Sequence, residues 1–176
     1  MLFRFASNFS ACLKFTLQYE GGWSNHKQDP GGATMKGVTQ RVYDAYRRRM
    51  GRQVQSVFHI PDAELNDIYR LQYWNVVRGD DLPAGVDLAV FDHAVNSGPV
   101  AAVKALQRVL KVTCDGNLGL ATLAAAKQAD PKKLVAGLTA AREGFLRTLT
   151  TFKVFGRGWM RRVSAVRTVA LAMIGV

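Results

Sequence analysis

Apolar residues recur at three- and four-residue intervals along most of the chain, the spacing typical of amphipathic α-helices. The first predicted helix carries Phe5, Phe9, Leu13 and Leu17 on one face and ends near Glu20, where two glycines follow. Seven more are predicted: Thr39 to Gly51, Pro61 to Trp74, the buried run VDLAVFDHAV, Pro99 through AAVKALQRVLKV, Leu120 to Lys127, Pro131 to about Phe152, and GWMRRVSAVRTVALAMI. Because only VQSVF at 54–58 has the composition of a strand, the pattern predicts an all-α fold with at most a minimal β-hairpin.

The helical pattern is interrupted by Ser-Gly-Pro at residues 97–99. Neither an internal repeat nor a low-complexity linker separates the two sides. We therefore expect two closely packed helical lobes, residues 1–98 and residues 99–176, rather than two independent domains.

The chain is strongly basic. Its 176 residues include 24 Lys and Arg against 13 Asp and Glu, a formal net charge of +11, and 48% of them are hydrophobic. This hydrophobic content excludes a disordered chain, and the charge predicts a polyanionic partner: nucleic acid, an anionic membrane or the bacterial cell wall. Seven cations near the carboxyl end face only Glu143, and together they suit an anionic partner, although any one of them could simply belong to a solvated basic face: Arg142, Arg147, Lys153, Arg157, Arg161, Arg162 and Arg167.

The first residues, MLFRFASNFSACLKF, lack the uninterrupted apolar core of a signal peptide, and no run of eighteen apolar residues occurs. We expect synthesis in the cytoplasm without a signal peptide, no stable membrane insertion, and export or release before any action outside the cell.

Cysteines and histidines form no metal-binding motif. Cys12 and Cys114 lie in apolar contexts and are predicted to be buried free thiols. His26, His59 and His93 are scattered, without HExxH or an acid–histidine pair at ligand spacing. We expect no metal and no cofactor, which argues against a zinc peptidase.

The three glutamates differ in their surroundings. Glu64 lies in the first turn after Pro61, where the helix dipole favours a negative charge, and Glu143 has Arg147 four residues on. Glu20 lies instead at a helix C-terminus, where the dipole disfavours the ionised carboxylate by a few tenths to about 1 kcal/mol. A carboxyl group that stays protonated is what a general acid needs.

Hydrolysis of a glycosidic bond also needs a carboxylate that positions water or stabilises the cationic transition state. In the stretch EGGWSNHKQDPGGAT, Asp29 follows Glu20 by nine residues and Thr34 lies five further on. A tight antiparallel excursion would return both side chains toward Glu20. The alternative is that Asp29 and the residues after it, Pro-Gly-Gly, are simply a turn.

Three blocks carry a resemblance to a known family. YEGGWSNHKQDPGGATMKGVT resembles the EGGY…DPGG.T..GIT signature of glycoside hydrolase family 108, the N-acetylmuramidases that include phage endolysins and secretion-associated lysozymes. YWNVVRGDDLPAGVDLAVFDHAVNSGPVAAVKALQ is similar to the second half of that family's lysozyme-like lobe. LQRVLKVTCDGNLGLATLAA with LTAAREGFLRTLTTFKVFGRGWMRR is similar to its small C-terminal helical peptidoglycan-binding module. The resemblance covers nearly the full chain.

The resemblance implies hydrolysis of the β-1,4 bond between N-acetylmuramic acid and N-acetylglucosamine, with Glu20 as the catalytic acid. Phage-type lysozymes carry a Glu, Asp, Thr trio at similar spacing, which Asp29 and Thr34 match. The enzyme would act on the cell wall in the periplasm. Two departures affect local packing and sugar contacts: Trp23 stands where the family has Tyr, and Lys-Gly-Val at 36–38 replaces aromatic-Gly-Ile.

Further residues are predicted to contact the substrate. Four aromatic side chains offer flat surfaces for sugar rings, although aromatics at helical spacing are more often core: Trp23, Tyr43, Tyr46 and Trp74. Asn96 is expected to bind an acetamide or hydroxyl group, whereas nearby His93 is expected to be structural. Asp92 either lines the same cleft or is a buried acid bound by backbone or by an arginine. Asp115 in DGNLGLAT and Arg161 in GWMRRV are expected to contact peptidoglycan.

Two other functions compete with hydrolysis. The net charge and the run Arg47-Arg48-Arg49 suit a helical nucleic-acid-binding protein, which would leave the EGG…DPGG.T segment unexplained. The other alternative is a wall-binding protein without turnover. We favour a monomer whose partners are peptidoglycan and the anionic surface of the bacterial envelope, with no nucleic acid.

Overall fold

Helices form where the apolar periodicity and the capping residues predict them. The computed structural model describes residues 7–25 and 32–175. Within these ranges eight α-helices form: α1 (Phe9–Thr16), α2 (Gln40–Arg49), α3 (Asp62–Tyr69), α4 (Val86–Ser97), α5 (Pro99–Leu110), α6 (Leu120–Gln128), α7 (Pro131–Thr148) and α8 (Phe152–Ile174). The prediction of an all-α fold with a minimal hairpin is confirmed.

Local signals set several of the helix boundaries. The Thr39 hydroxyl accepts a hydrogen bond from Val42 N at 3.3 Å where α2 begins, and Gly51 follows its end with a φ of +66°. Pro99 is the first residue of α5, as predicted. Helix α8 begins at Phe152, earlier than the predicted start at GWM.

The described residues form two compact units. One contains residues 7–12 and 73–175, and the other is Leu13–Gln72. The predicted boundary at residues 97–99 lies inside the first unit, where α4 packs against α5, α7 and α8. The division into residues 1–98 and 99–176 stays a prediction.

A small antiparallel sheet occupies the second unit. Its strands are β1 (Trp23–Ser24), β2 (Thr34–Met35) and β3 (Val38–Thr39), in that order. Trp23 pairs with Met35 and Ser24 with Thr34, while β2 and β3 are joined by the two-residue turn Lys36-Gly37. Both turn residues have positive φ, +47° and +77°, as a tight hairpin of this kind requires.

The strand predicted at VQSVF does not form. Its Val57 begins a 3-10 turn, Val57–His59, and is buried, whereas Val54 and Phe58 are about half exposed. The backbone groups of this segment bind a side chain instead of a neighbouring strand: Gln40 accepts from Val57 N at 2.7 Å and donates to Gln55 O at 2.8 Å. The apolar composition therefore reflects one buried anchor.

Glu64 is held in a cluster of charges. It lies in the first turn of α3, as predicted, but it is buried and binds Arg47 and Arg52. Burial alone would raise the pKa of the Glu64 carboxyl, but hydrogen bonds from Tyr43, Arg52 and Arg47 outweigh it and lower the pKa. The cluster ties α3 to α2 and to the loop after α2.

The two cysteines differ. Both are free thiols, but only Cys12 is buried, and the prediction that Cys114 is buried was wrong. Cys114 follows α5 in an exposed turn, where its sulfur lies 3.6 Å from Lys104 O. None of the helices in the described part of the chain combines the length and the apolar character that crossing a membrane requires.

Candidate active site

Glu20 lies at the end of a helical segment, as the sequence predicts. Helix α1 continues into a 3-10 turn, Leu17–Tyr19, and Glu20 follows with an extended backbone (φ −86°, ψ 139°). Its backbone N–H donates to Leu17 O at 3.3 Å, and its side chain is half-buried. At Gly21 and Gly22, which come next, a Cβ atom would meet nothing within 4 Å. Among the described residues, therefore, none occupies the space beside these two glycines.

The β2–β3 turn lies against the Glu20 carboxyl group. A Cβ atom placed on Gly37 would lie 3.0 Å from Glu20 Oε2 and 2.6 Å from Tyr69 Oη. The Tyr69 hydroxyl donates to Lys36 O at 2.8 Å and holds this turn to the end of α3. The contact with Tyr69 was not predicted, because its ring belongs to the apolar stripe of a helix.

Thr34 lies in β2, the strand before the turn that contacts Glu20. Asp29 lies outside the described residues. Lys36 N donates to Gly22 O at 3.3 Å, which joins the strand containing Thr34 to the segment that follows Glu20. The Thr34 hydroxyl donates to Gly32 O at 3.1 Å. Because a hydroxyl has a single proton, Thr34 retains only acceptor capacity for any further partner.

Trp23 is exposed beside a second aromatic ring. Its side chain is 42% exposed and meets Phe58 edge to face at 5.0 Å. Phe58 was not predicted as a site residue, because it lies in the VQSVF segment, whose composition predicts a strand. Together the two rings offer the kind of apolar surface on which sugar rings stack.

The other three predicted sugar platforms are buried, which corrects those predictions. Trp74 is fully buried and packs edge to face on Phe9 and Phe91 at 5.5 and 5.4 Å. Tyr43 is also fully buried, and Tyr46 donates to Asp67 at 2.8 Å. Burial and this bond raise the pKa of Tyr46 to about 12. These rings stabilise the core rather than present a face to substrate.

Asp92 joins three helices of the first unit. The Asp92 carboxylate, on α4, binds Arg142 of α7 at 2.7 Å and Arg162 of α8 at 2.9 Å. Burial would raise the pKa of Asp92, but the Arg142 charge and the hydrogen bonds from Arg162 keep it below its ordinary value. The alternative of a buried acid bound by arginine is therefore confirmed. Arg142 and Arg162 do not belong to the predicted basic face.

Asn96, Asp115 and Arg161 stay predicted contacts. The Asn96 side-chain carbonyl accepts from Arg142 at 3.2 Å, so part of its capacity is already used. Asp115 accepts from Asn117 N and Gln107 at 2.8 and 2.7 Å; these bonds lower its pKa, with a smaller contribution from the charge of Lys104. Arg161 is exposed. Within the described ranges no group of three or more His, Cys, Asp or Glu is placed to hold a metal ion.

Comparison with known proteins places the chain in a family. The family model described as glycosyl hydrolase 108 matches residues 13–98, and one described as a predicted peptidoglycan domain matches residues 101–164. The solved structure of SagA from Brucella abortus aligns with a TM-score of 0.81 and 44% sequence identity, covering 95% of each chain. A search of curated proteins found no match.

The fold and these matches define a glycoside hydrolase that acts on the cell wall, with peptidoglycan as its substrate and partner. The chain belongs to glycosyl hydrolase family 108.

Proposed function

We propose that the chain is an N-acetylmuramidase that cleaves the β-1,4 bond between N-acetylmuramic acid and N-acetylglucosamine, with Glu20 as general acid. The observation that carries this proposal is the setting of Glu20. Its carboxyl group lies against the Gly37 turn, and no described residue comes within 4 Å of the Cβ positions of the two glycines that follow it. A substrate can approach such a carboxyl group, whereas Glu64 is buried among arginines.

In this mechanism Glu20 donates its proton to the glycosidic oxygen as the bond to the anomeric carbon breaks. Asp29 stabilises the positive charge that develops on the sugar, or orients the water that attacks it. Thr34 contributes as an acceptor, because its own proton is donated to Gly32 O. The water proton passes to a carboxylate, and the products are a new reducing muramic-acid end and a free hydroxyl.

The experiment is digestion of purified peptidoglycan, followed by mass spectrometry of the products. Wild type should release muropeptides with a new reducing N-acetylmuramic acid end, and Glu20→Gln should release none. Glu143→Gln is the matched control, since it makes the same chemical change on α7, and it should retain full activity. Products from Glu20→Gln at the wild-type rate would remove Glu20 from the mechanism.

The same assay tests the two other members of the trio. Asp29→Asn and Thr34→Ala should each lose part of the activity, with the larger loss for Asp29, because these groups orient and stabilise rather than transfer the first proton. Wild-type rates in both variants would refute the trio while leaving Glu20 in place.

We also propose that residues 1–98 form the catalytic lobe and residues 99–176 the wall-binding module of a monomer that neither binds nucleic acid nor inserts into membranes. The matched ranges, 13–98 and 101–164, support this division. In the described part of the chain five arginines are seen to bind carboxylates, which leaves less basic charge for a nucleic acid: Arg47, Arg52, Arg78, Arg142 and Arg162. Light scattering should give the mass of one chain, and a mobility-shift assay should show no binding at physiological salt.

A further inference from the structure

A pocket of about 460 Å³ lies in the first compact unit and is lined by residues of α4, α5 and α7. The hydrolytic mechanism uses none of its residues. Apolar side chains, two cations and a histidine line it, and no acidic side chain among the described residues does. The residues that matter most are His93, Val100, Lys104, Arg108, Ala141 and Phe145. Its volume is within the usual range for small-molecule and peptide sites.

His93 lines this pocket and carries a buried polar atom without a hydrogen-bond partner among the described residues. The residue is only 4% exposed, and its Nε2 atom is buried without a hydrogen-bond partner in the described part of the chain. Burial, with a smaller effect of the Arg142 charge, lowers the pKa of His93 to about 4, so the ring is neutral at physiological pH. A neutral imidazole has one donor and one acceptor nitrogen. Buried polar atoms are normally paired, so this one calls for a ligand or a bound water.

Two cations add a positive charge at the same place. Lys104 and Arg108 are four residues apart on α5, hence on one face of the helix, and neither forms an ion pair with another described residue. Val100 and Ala101, in the first turn of α5, also line the pocket. No side chain of a described residue caps this helix start, so the positive end of the helix dipole contributes as well. Each of these features favours an anion.

The apolar part of the lining limits the kind of anion. Val100 and Phe145 are 57% and 45% exposed. Three alanines, at positions 101, 105 and 141, add small apolar side chains to the lining. Such a surface accommodates methyl groups and short aliphatic chains, whereas sugar rings usually require a broad aromatic face. The complementary ligand is a short aliphatic chain that carries carboxylates.

We infer that this pocket binds the peptide stem of peptidoglycan, with its free carboxylates at Lys104 and Arg108 and its alanine methyl groups against the apolar wall beside His93. The inference rests on the proposed function in taking peptidoglycan as the substrate. It goes further by assigning the stem peptide, rather than the glycan, to named residues. Most of these residues belong to the segment matched by the peptidoglycan domain.

Calorimetric titration of the full-length protein tests this directly. The probes are a synthetic stem pentapeptide with free carboxylates, the same peptide with its carboxylates amidated, and an N-acetylglucosamine oligomer. The free-acid peptide should bind saturably, and amidation should weaken binding about tenfold or more, since charge-assisted hydrogen bonds are lost. The oligosaccharide should not compete with the peptide.

Variants place the binding in the pocket. Lys104→Gln with Arg108→Gln removes two charges from it, and Lys132→Gln with Lys133→Gln removes two exposed charges from the start of α7. Ala141→Phe fills the pocket without changing charge. The first double variant and Ala141→Phe should bind the peptide about tenfold more weakly, and the second double variant should bind like wild type.

Three results would overturn the inference: no saturable binding to wild type, equal loss in the two double variants, or equal binding of the free and amidated peptides. The proposed function is judged separately, by the products that wild type and Glu20→Gln release from purified wall. Hydrolysis without stem-peptide binding refutes this inference alone, and stem-peptide binding without hydrolysis refutes the muramidase proposal alone.

Discussion

Glu20 Oε2 lies 3.0 Å from the point at which Gly37 would carry a Cβ atom. Two independent reasons favour glycine at this position. Its φ of +77° belongs to the left-handed region, and the Glu20 carboxyl group and the Tyr69 hydroxyl fill the space that a Cβ atom would occupy. The hairpin turn and the proposed catalytic acid are in this way parts of one packing arrangement.

Gly37→Ala should lower both stability and activity. Positive φ alone costs an alanine about 1 kcal/mol, and displacement of Glu20 by the new methyl group should reduce the rate of wall digestion about tenfold or more. Gly51→Ala is the control, since Gly51 also has positive φ but no described residue lies within 4 Å of its Cβ position. Thermal unfolding and lysis rates distinguish the two. Full activity in Gly37→Ala would show that the turn does not position Glu20.

Two tryptophans should respond in opposite ways to truncation. Trp74→Ala removes a fully buried ring and should cost about 3 to 5 kcal/mol of unfolding free energy. Trp23→Ala removes an exposed ring and should cost less than about 1 kcal/mol, yet it should slow digestion of purified peptidoglycan. Urea unfolding and product release are the measurements. Unchanged digestion by Trp23→Ala would remove Trp23 as a sugar contact.

Asp92→Asn should be among the most destabilising single changes. It leaves two buried guanidinium groups without a counter-charge, which typically costs about 3 to 5 kcal/mol. Asp81→Asn makes the same change in the exposed pair with Arg78 and should cost less than about 1 kcal/mol. Denaturant unfolding of both variants measures the difference. Equal costs would mean that the buried pairs contribute no more than a surface pair.

Stability should fall as the pH is lowered through the range set by His93. Burial lowers the pKa of His93 to about 4, from about 6.5 in the unfolded chain. Above pH 6.5 neither state binds this proton; between pH 6.5 and 4 only the unfolded state does, so up to about 3 kcal/mol is lost across this interval. As the pH falls from 7.5 to 4, the unfolding free energy of wild type should decrease relative to that of His93→Gln. A constant difference between the two proteins would mean that the pKa of His93 is not lowered in the folded state.

Much of the fold follows from local sequence signals. Thr39, Pro99 and the periodic apolar residues indicate the helices because capping, proline geometry and amphipathic periodicity act within a few residues. The apolar periodicity and the two glycines that follow likewise predict that Glu20 lies at the end of a helical segment, where the structure has it. The VQSVF segment shows the limit of composition, since its backbone groups are bound by the Gln40 side chain.

Whether an individual side chain is buried or exposed depends on contacts between distant parts of the chain. Arg161 and Arg162 are neighbours in one basic run, yet Arg161 is exposed and Arg162 is buried on Asp92, 70 residues away in sequence. Trp23 and Trp74 are both predicted sugar contacts, with Trp74 favoured because its YWN motif matches the family, yet Trp74 is buried and Trp23 is exposed. The helices, the family resemblance and the place of Glu20 at a helix end can be read from local patterns, because each of these is carried by neighbouring residues. Which charges and rings are buried cannot be read locally, because burial depends on which face of each helix meets another element.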